Sequence, residues 1–192
     1  MPDAYGDSTY EEWTAEGKPH PPPHSYKEVL LREMAQKLSI GRFVETGLGW
    51  GRMIRAVKDG FDSVISIERD IGLYQKGVEE FKDDLNIRLF NGDSSVLLAA
   101  ILLEIEGSCL FWLDAHGADG SPVISELSTI LSRGEIGDGD CVMVDDLRCF
   151  GAEPGWPPLE DIRSVIEKFK PDWVMSERLD VLVAYSPLNG VV

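Results

Sequence analysis

Apolar positions along the chain follow two periods that alternate. Short apolar runs at 42–45, 63–67, 87–90, 109–113, 140–144, 173–176 and 180–185 predict seven strands, and helical segments fill the first five intervals between them. Ile71, Tyr74, Val78 and Phe81 share one helical face, as do Ile162, Val165, Ile166 and Phe169. Ser121-Pro122 and Gly134 supply start and stop signals for another helix. Ahead of the first strand, "YKEVLLREMAQKLS" predicts a helix capped by Ser25, with an apolar stripe of Val29, Leu30, Glu33, Met34 and Leu38.

Strand, helix and strand in repetition specify an α/β fold with a mainly parallel, doubly wound sheet, because each crossover returns over the sheet with the same hand. The last two runs lie too close together for a helix, so an antiparallel C-terminal hairpin is expected at the sheet edge. Residues 1–24 are polar and carry Pro19 and Pro21 to Pro23, which predicts an extended arm rather than a packed element. Residues 25–192 are of a length suited to a single domain.

Composition narrows the partners. The chain is 43% hydrophobic and 27% charged, as in soluble globular proteins, but its net charge is −16. So acidic a surface repels phosphate backbones and anionic headgroups, and neither nucleic acid nor membrane is an expected partner. The longest apolar run, Val96 to Leu103, is far shorter than the roughly 20 residues that span a bilayer. The start "MPDAYGDSTYEEW" lacks the features of a signal peptide, which leaves a cytoplasmic location as the expectation. Cys109 and Cys141 sit in apolar runs as small core residues, and Cys149 follows a turn. Their spacing suits no zinc site, and the odd count argues against a disulfide framework.

Candidate chemistry begins at "VETGLGWG", residues 44–51, immediately after the first strand. Ligands of doubly wound sheets bind at the carboxyl ends of the strands, and glycines there let backbone approach a ligand and adopt positive φ. A dinucleotide fingerprint requires a further glycine at position 52, where this chain has Arg52. That disfavours a dinucleotide-binding oxidoreductase.

The spacing Glu45-x-Gly47-x-Gly49-x-Gly51 instead resembles motif I of the class I S-adenosylmethionine-dependent methyltransferases, and the likeness extends over about residues 40 to 185. It implies a Rossmann-like fold. It also implies that Glu68 of "ISIERD" meets the ribose hydroxyls of the cofactor, that Asp93 of "NGDSS" meets the adenine, and that Asp114 of "FWLDAH" stands beside the methyl donor. Glu45, Thr46, Arg69 and Ser94 adjoin these positions as further cofactor contacts, Glu45 orienting the loop or the methionine end. From the residues alone, Asp93 equally suits a helix N-cap and Glu68 a solvated strand end.

A second carboxylate cluster follows. Asp145 and Asp146 end the fifth strand, beside Asp114 in this family's strand order, and like charges so close resist ionisation unless a cation offsets them. Three carboxylates make a hard-oxygen site suited to Mg²⁺. The arrangement resembles the metal-dependent O-methyltransferases, and "FVETG", "FWLDAH" and "VDDLRCFG" resemble the sugar-modifying, macrocin-type branch more than the catechol one. The catechol type has a lysine base three residues after its metal aspartate, where this chain has Gly117; His116 is the replacement candidate, histidine being suited to proton transfer near neutrality.

The resemblance thus implies Mg²⁺-assisted methyl transfer to a hydroxyl of a sugar or polyol-type small molecule, with Asp114, Asp145 and Asp146 holding the metal and Asp114 and His116 the catalytic pair. A metal-independent methyltransferase and a catalytically silent S-adenosylmethionine-binding module are the alternatives. His24 closes "HPPPH" and reads either as a residue over the cleft or as an incidental part of a rigid arm. Trp156 in "GAEPGWPP" suits stacking on a substrate ring or packing on the core. A homodimer, with the arm reaching a partner's site, is a further possibility.

Overall fold

A computed structural model describes residues 9–17 and 21–187. Seven strands form one sheet in the order β3-β2-β1-β4-β5-β7-β6. They are β1 (Arg42–Thr46), β2 (Ser63–Glu68), β3 (Ile87–Asn91), β4 (Leu110–Leu113), β5 (Cys141–Val144), β6 (Val174–Arg178) and β7 (Val181–Tyr185). β1 to β5 are parallel, and β7 pairs antiparallel with both β5 and β6. The strand order reverses between β1 and β4, and this places the cleft of a doubly wound sheet beyond the ends of these two strands.

Period-two alternation sorts the strand side chains onto two cores. Val44, Ile65, Phe111, Val142 and Leu182 pack against α5 (Ser94–Leu102), α6 (Val123–Leu131) and α7 (Leu159–Phe169). Phe43, Val64, Trp112, Met143 and Val183 pack against α2 (His24–Leu38) and α3 (Arg52–Val57) on the other face. Every predicted strand is present within two residues of its expected bounds. Cys109 and Cys141 are fully buried, and burial pushes the Cys109 thiol up to about 11. Among the described residues no helix is long and apolar enough to cross a membrane.

Four expectations need correction. Part of the expected extended arm is α1 (Tyr10–Ala15), closed by a capping box in which Thr9 Oγ1 accepts from the Glu12 amide and the Glu12 carboxylate accepts from the Thr9 amide. Trp13 is 1% exposed and packs 5.1 Å from the Tyr26 ring, so this helix is docked on α2. Residues 1–8 and 18–20 of the arm lie outside the described residues. α2 starts at His24 after an N-cap at Pro23, so Ser25 sits inside the first turn instead of capping it.

The buried stripe of α2 is Lys27, Leu30, Leu31, Met34, Ala35 and Leu38, with Glu33 exposed. The face is rotated because Lys27 has a buried partner described below. On α4 (Ile71–Glu80), Ile71 and Val78 are exposed and Gly77 faces inward instead. A Cβ on Gly77 would stand 2.6 Å from Leu48 Cδ2 and 3.1 Å from Leu89 Cδ1, so the helix lies closer to the sheet than a side chain there would allow.

Candidate functional site

A cavity of about 790 Å³ opens at the carboxyl ends of β1 to β4, within the roughly 300–1,000 Å³ typical of small-molecule sites. Its floor is the glycine loop. Gly47 has φ +88°, and a Cβ there would stand 2.7 Å from the Asp114 carbonyl oxygen and 2.9 Å from the Ala115 nitrogen. Only glycine lets the ends of β1 and β4 close so tightly. Gly49, φ +53°, has nothing within 4 Å of its Cβ direction and lines the cavity. Gly51 does not line it: it is the N-cap of α3, φ +70°, pressed against Phe81.

Glu68 shapes the same loop. Its Oε2 accepts from the Gly49 amide at 2.9 Å and its Oε1 from the Asp70 amide at 2.7 Å, and the residue is 8% exposed on the cavity wall. The carboxylate therefore orders both the β1 and β2 loops and still has lone pairs to offer. Glu45 and Thr46 lie behind the wall at 1% and 0% exposure. Glu45 Oε2 accepts from Ser66 Oγ at 2.5 Å, and burial pushes its carboxyl up to about 8.

Asp93, Ser94, Arg69 and Asp114 also line the cavity. Asp93 is the N-cap of α5, where Oδ1 accepts from the amide and hydroxyl of Ser95 at 2.9 and 2.6 Å; the capping role is thus real, and the residue remains on the wall. Arg69 donates from Nη1 and Nη2 to the two carboxylate oxygens of Asp119 at 3.1 and 3.0 Å, a bidentate pair that ties the end of β2 to the loop after β4. Sequence reasoning missed Asp119, which carries no signal until the two loops are folded together. It also missed Glu126 on α6, 1% exposed; burial pushes it up to about 7 while the Ser94 and Thr46 hydroxyls pull it down, although neither of its oxygens meets hydrogen-bond geometry.

At the end of β5, Asp146 adopts φ +58°, ψ +43°, a left-handed conformation aspartate tolerates, and this turns its carboxylate to the same side as that of Asp145. Between them stands the ammonium of Lys27. Its Nζ lies 2.6 Å from Asp145 Oδ1, 2.7 Å from Asp145 Oδ2 and 3.2 Å from Asp146 Oδ1. Asp145 Oδ1 also accepts from the Asp146 amide at 2.7 Å, and Arg148 Nη1 donates to Asp146 Oδ1 at 2.8 Å. Burial, with Asp145 and Asp146 adding to it, raises the Asp114 carboxyl well above the usual range. Burial lowers the Lys27 ammonium most, but Asp145 and Asp146 outweigh it and keep it protonated.

The expected Mg²⁺ set of Asp114, Asp145 and Asp146 does not fit this geometry. Both oxygens of Asp145 already serve Lys27, and a second cation would have to displace a buried ammonium. The donor atoms that do gather within 4.8 Å are those of Asp114, His116 and Asp146, and separately those of Asp145, Asp146 and Asp180. The first group substitutes an imidazole for the hard oxygen that Mg²⁺ prefers. Lys27 was legible only as a lysine in the α2 stripe position 27-31-34-38; a charged residue on a buried face signals a buried partner.

His116 is exposed at the cavity mouth, its ring 5.6 Å from that of Trp156, which meets Phe150 edge-on at 4.9 Å. Trp156 thus packs on the core and also backs the imidazole. The two loops involved are stapled by glycines: the Gly120 and Gly155 backbones touch, and the Ser121 amide donates to the Gly155 carbonyl at 3.3 Å. His24 does not line the cavity; its Nδ1 is 2.9 Å from Glu28 Oε1 on α2.

No protein-family model matches the chain, and no curated protein sequence does. Solved structures do match in shape. A Klebsiella pneumoniae protein provisionally assigned as an O-methyltransferase has a TM-score of 0.64 at 16% identity, covering 92% of this chain and 86% of its own. TomG, an O-methyltransferase of Streptomyces achromogenes involved in tomaymycin synthesis and solved with S-adenosylmethionine, scores 0.61 at 15% identity, with coverages of 84% and 80%. The Podospora anserina methyltransferase PaMTH1, solved with S-adenosylhomocysteine, scores 0.59 at 17% identity, with coverages of 97% and 88%. The chain therefore has the fold of the class I S-adenosylmethionine-dependent methyltransferases.

Proposed function

We propose that the chain is an S-adenosylmethionine-dependent O-methyltransferase acting on a hydroxyl of a small polar acceptor of the sugar or polyol type. The observation that carries the cofactor half is the Glu68 carboxylate, fixed by the Gly49 and Asp70 amides on the wall of a cavity whose floor only glycine can form. Glu68 would hold the ribose, Asp93 and Ser94 the adenine end, and Gly47 and Gly49 the floor. When bound, the cofactor supplies an electrophilic methyl group on a sulfonium.

The chain's own part is to orient an acceptor hydroxyl and take its proton. His116 is the base in this reading: its nitrogen lies within 4.8 Å of oxygens of Asp114 and Asp146, the Asp146 carboxylate stabilising the imidazolium once the proton arrives, and Trp156 limits the ring's freedom. Hydrogen-bonding groups around the cavity mouth, Arg69, Asp119 and Ser121 among them, favour a hydroxyl-rich acceptor over an apolar one. Metal assistance is not carried into this reading, because the Lys27 ammonium already fills the gap between Asp145 and Asp146.

The test is formation of S-adenosylhomocysteine from isotopically labelled S-adenosylmethionine with a panel of sugars, polyols and catechols, the methylated atom being located by mass spectrometry and NMR. O-methylation is expected, and His116→Asn should lower kcat by roughly 10²–10⁴-fold with unchanged S-adenosylhomocysteine affinity. Methylation at nitrogen or carbon, or an unaltered His116→Asn enzyme, would overturn the proposal.

A further inference from the structure

The acidic cluster at the ends of β4 and β5 has its counter-charge inside the fold. Lys27 reaches it from α2, 118 residues away in sequence from Asp145, with its side chain only 11% exposed. Two of its three N–H groups are used on Asp145 and Asp146, and its charge also acts on Asp114. Arg148, at the rim, pairs with Asp146 and Asp180. The helix that carries Lys27 is anchored on both sides: Leu30, Leu31 and Met34 are buried in the sheet's core, and Tyr26 is held under Trp13 and Tyr10 of α1. The backbone that carries Lys27 is therefore held in place beside the cluster.

We infer that Lys27 is the built-in cation of this site: its ammonium holds the β4 and β5 aspartates together in the place a divalent cation would occupy, and makes the site independent of metal. An ammonium is a compact charge on a flexible stem, which is what a gap between two carboxylates accommodates. Lys27 is thus a positioning residue, acting on the acceptor through Asp114 and Asp146. Its functional consequence rests on the methyl-transfer reading, whereas its cation-binding consequence does not.

Removing the ammonium should leave the aspartates uncompensated and convert the cluster into a divalent cation site. Mn²⁺ binding to the full chain, followed by loss of the free-ion EPR signal with Mg²⁺ as competitor, reads this directly. The wild type and Lys27→Arg should bind no stoichiometric Mn²⁺. Lys27→Ala and the longer neutral Lys27→Gln should each bind one equivalent at least tenfold more tightly than wild type, and Asp145→Asn added to either should abolish the gain. Melting temperature gives a second readout, Mn²⁺ raising it in the neutral variants and not in wild type.

If methyl transfer is found, wild-type turnover should survive a chelator, and Mn²⁺ should restore part of the activity lost in Lys27→Ala. If none is found, the Mn²⁺ titrations decide alone. One equivalent of Mn²⁺ on the wild type, no gain in the neutral variants, or failure of both neutral variants to fold in saturating Mn²⁺ would each overturn the inference.

Discussion

Replacing Gly47 and Gly49 separately with alanine distinguishes the structural from the ligand-facing part of the loop. At Gly47 the new methyl meets backbone, at 2.7 Å from the Asp114 oxygen and 2.9 Å from the Ala115 nitrogen, and φ is +88°. Backbone cannot yield as a side chain can, so a left-handed penalty of about 1–2 kcal/mol adds to an overpacking cost of about 1–3 kcal/mol, roughly 2–5 kcal/mol together. For a chain of this length each kcal/mol lowers Tm by about 2–4 °C, so Gly47→Ala should melt roughly 5–20 °C lower. At Gly49 φ is +53° and nothing lies within 4 Å, so the fold should lose only about 1–2 kcal/mol while the methyl enters the cavity. Thermal and urea unfolding together with titration of S-adenosylhomocysteine measure both effects. Gly49→Ala should lose more affinity than stability, and Gly47→Ala should be the less stable of the two. A Gly47→Ala protein as stable as wild type, or a Gly49→Ala protein that binds unchanged, would refute the assignment of these two glycines.

Two further outcomes follow from buried charge. Glu45 is pushed up to about 8 by burial, so between its ordinary 4.5 and about 8 the unfolded chain has released a proton that the native state keeps. Stability must fall as pH rises through that window, and Glu45→Gln should gain on wild type by roughly 1.4 kcal/mol per pH unit there; parallel pH dependences in urea unfolding of the two proteins would contradict this. Arg133 Nη1 lies 2.8 Å from Asp140 Oδ2, both side chains being buried, and Arg133 also donates to the Ile105 and Gly107 carbonyls. Arg133→Met should cost about 3–5 kcal/mol by stranding Asp140, and Asp140→Asn added to it should recover part of the loss; a neutral Arg133→Met would refute the pairing.

Strands were legible because a buried strand declares itself locally: the runs around Val44, Ile65, Phe111 and Val142 need no partner to be recognised. The carboxylates at strand ends were legible for the same reason, as positions on a repeating pattern. What escaped was whatever depends on contact between distant segments. Of the expected α2 stripe, Leu30, Met34 and Leu38 are buried, whereas Val29 and Glu33 give way to Lys27 and Leu31, because a lysine is assumed solvated until its partner is known. Ile71 and Val78 were placed inward on α4 because a helical stripe of apolar residues ordinarily is, whereas Gly77 wins the inward position by allowing close approach to Leu48 and Leu89. Asp119, opposite Arg69, and the Gly120–Gly155 contact exist only once two loops meet.

The same limit explains the expected metal. Asp114, Asp145 and Asp146 called for a cation on electrostatic grounds, and that requirement was sound. Its identity was not deducible from the cluster itself, because the cation comes from a helix on the far side of the sequence. Similarity at 15–17% identity to methyltransferase structures carries the fold, and the chemistry is a matter for ligand measurements.

The claim on which the rest depends is that the cavity above Gly47 and Gly49 takes S-adenosylmethionine. Isothermal titration of the wild-type chain with S-adenosylhomocysteine, alongside NADH as the competing nucleotide, tests it most directly. The account predicts one equivalent of S-adenosylhomocysteine bound, with NADH giving no comparable heat. No binding of S-adenosylhomocysteine, or equal binding of NADH, would contradict it.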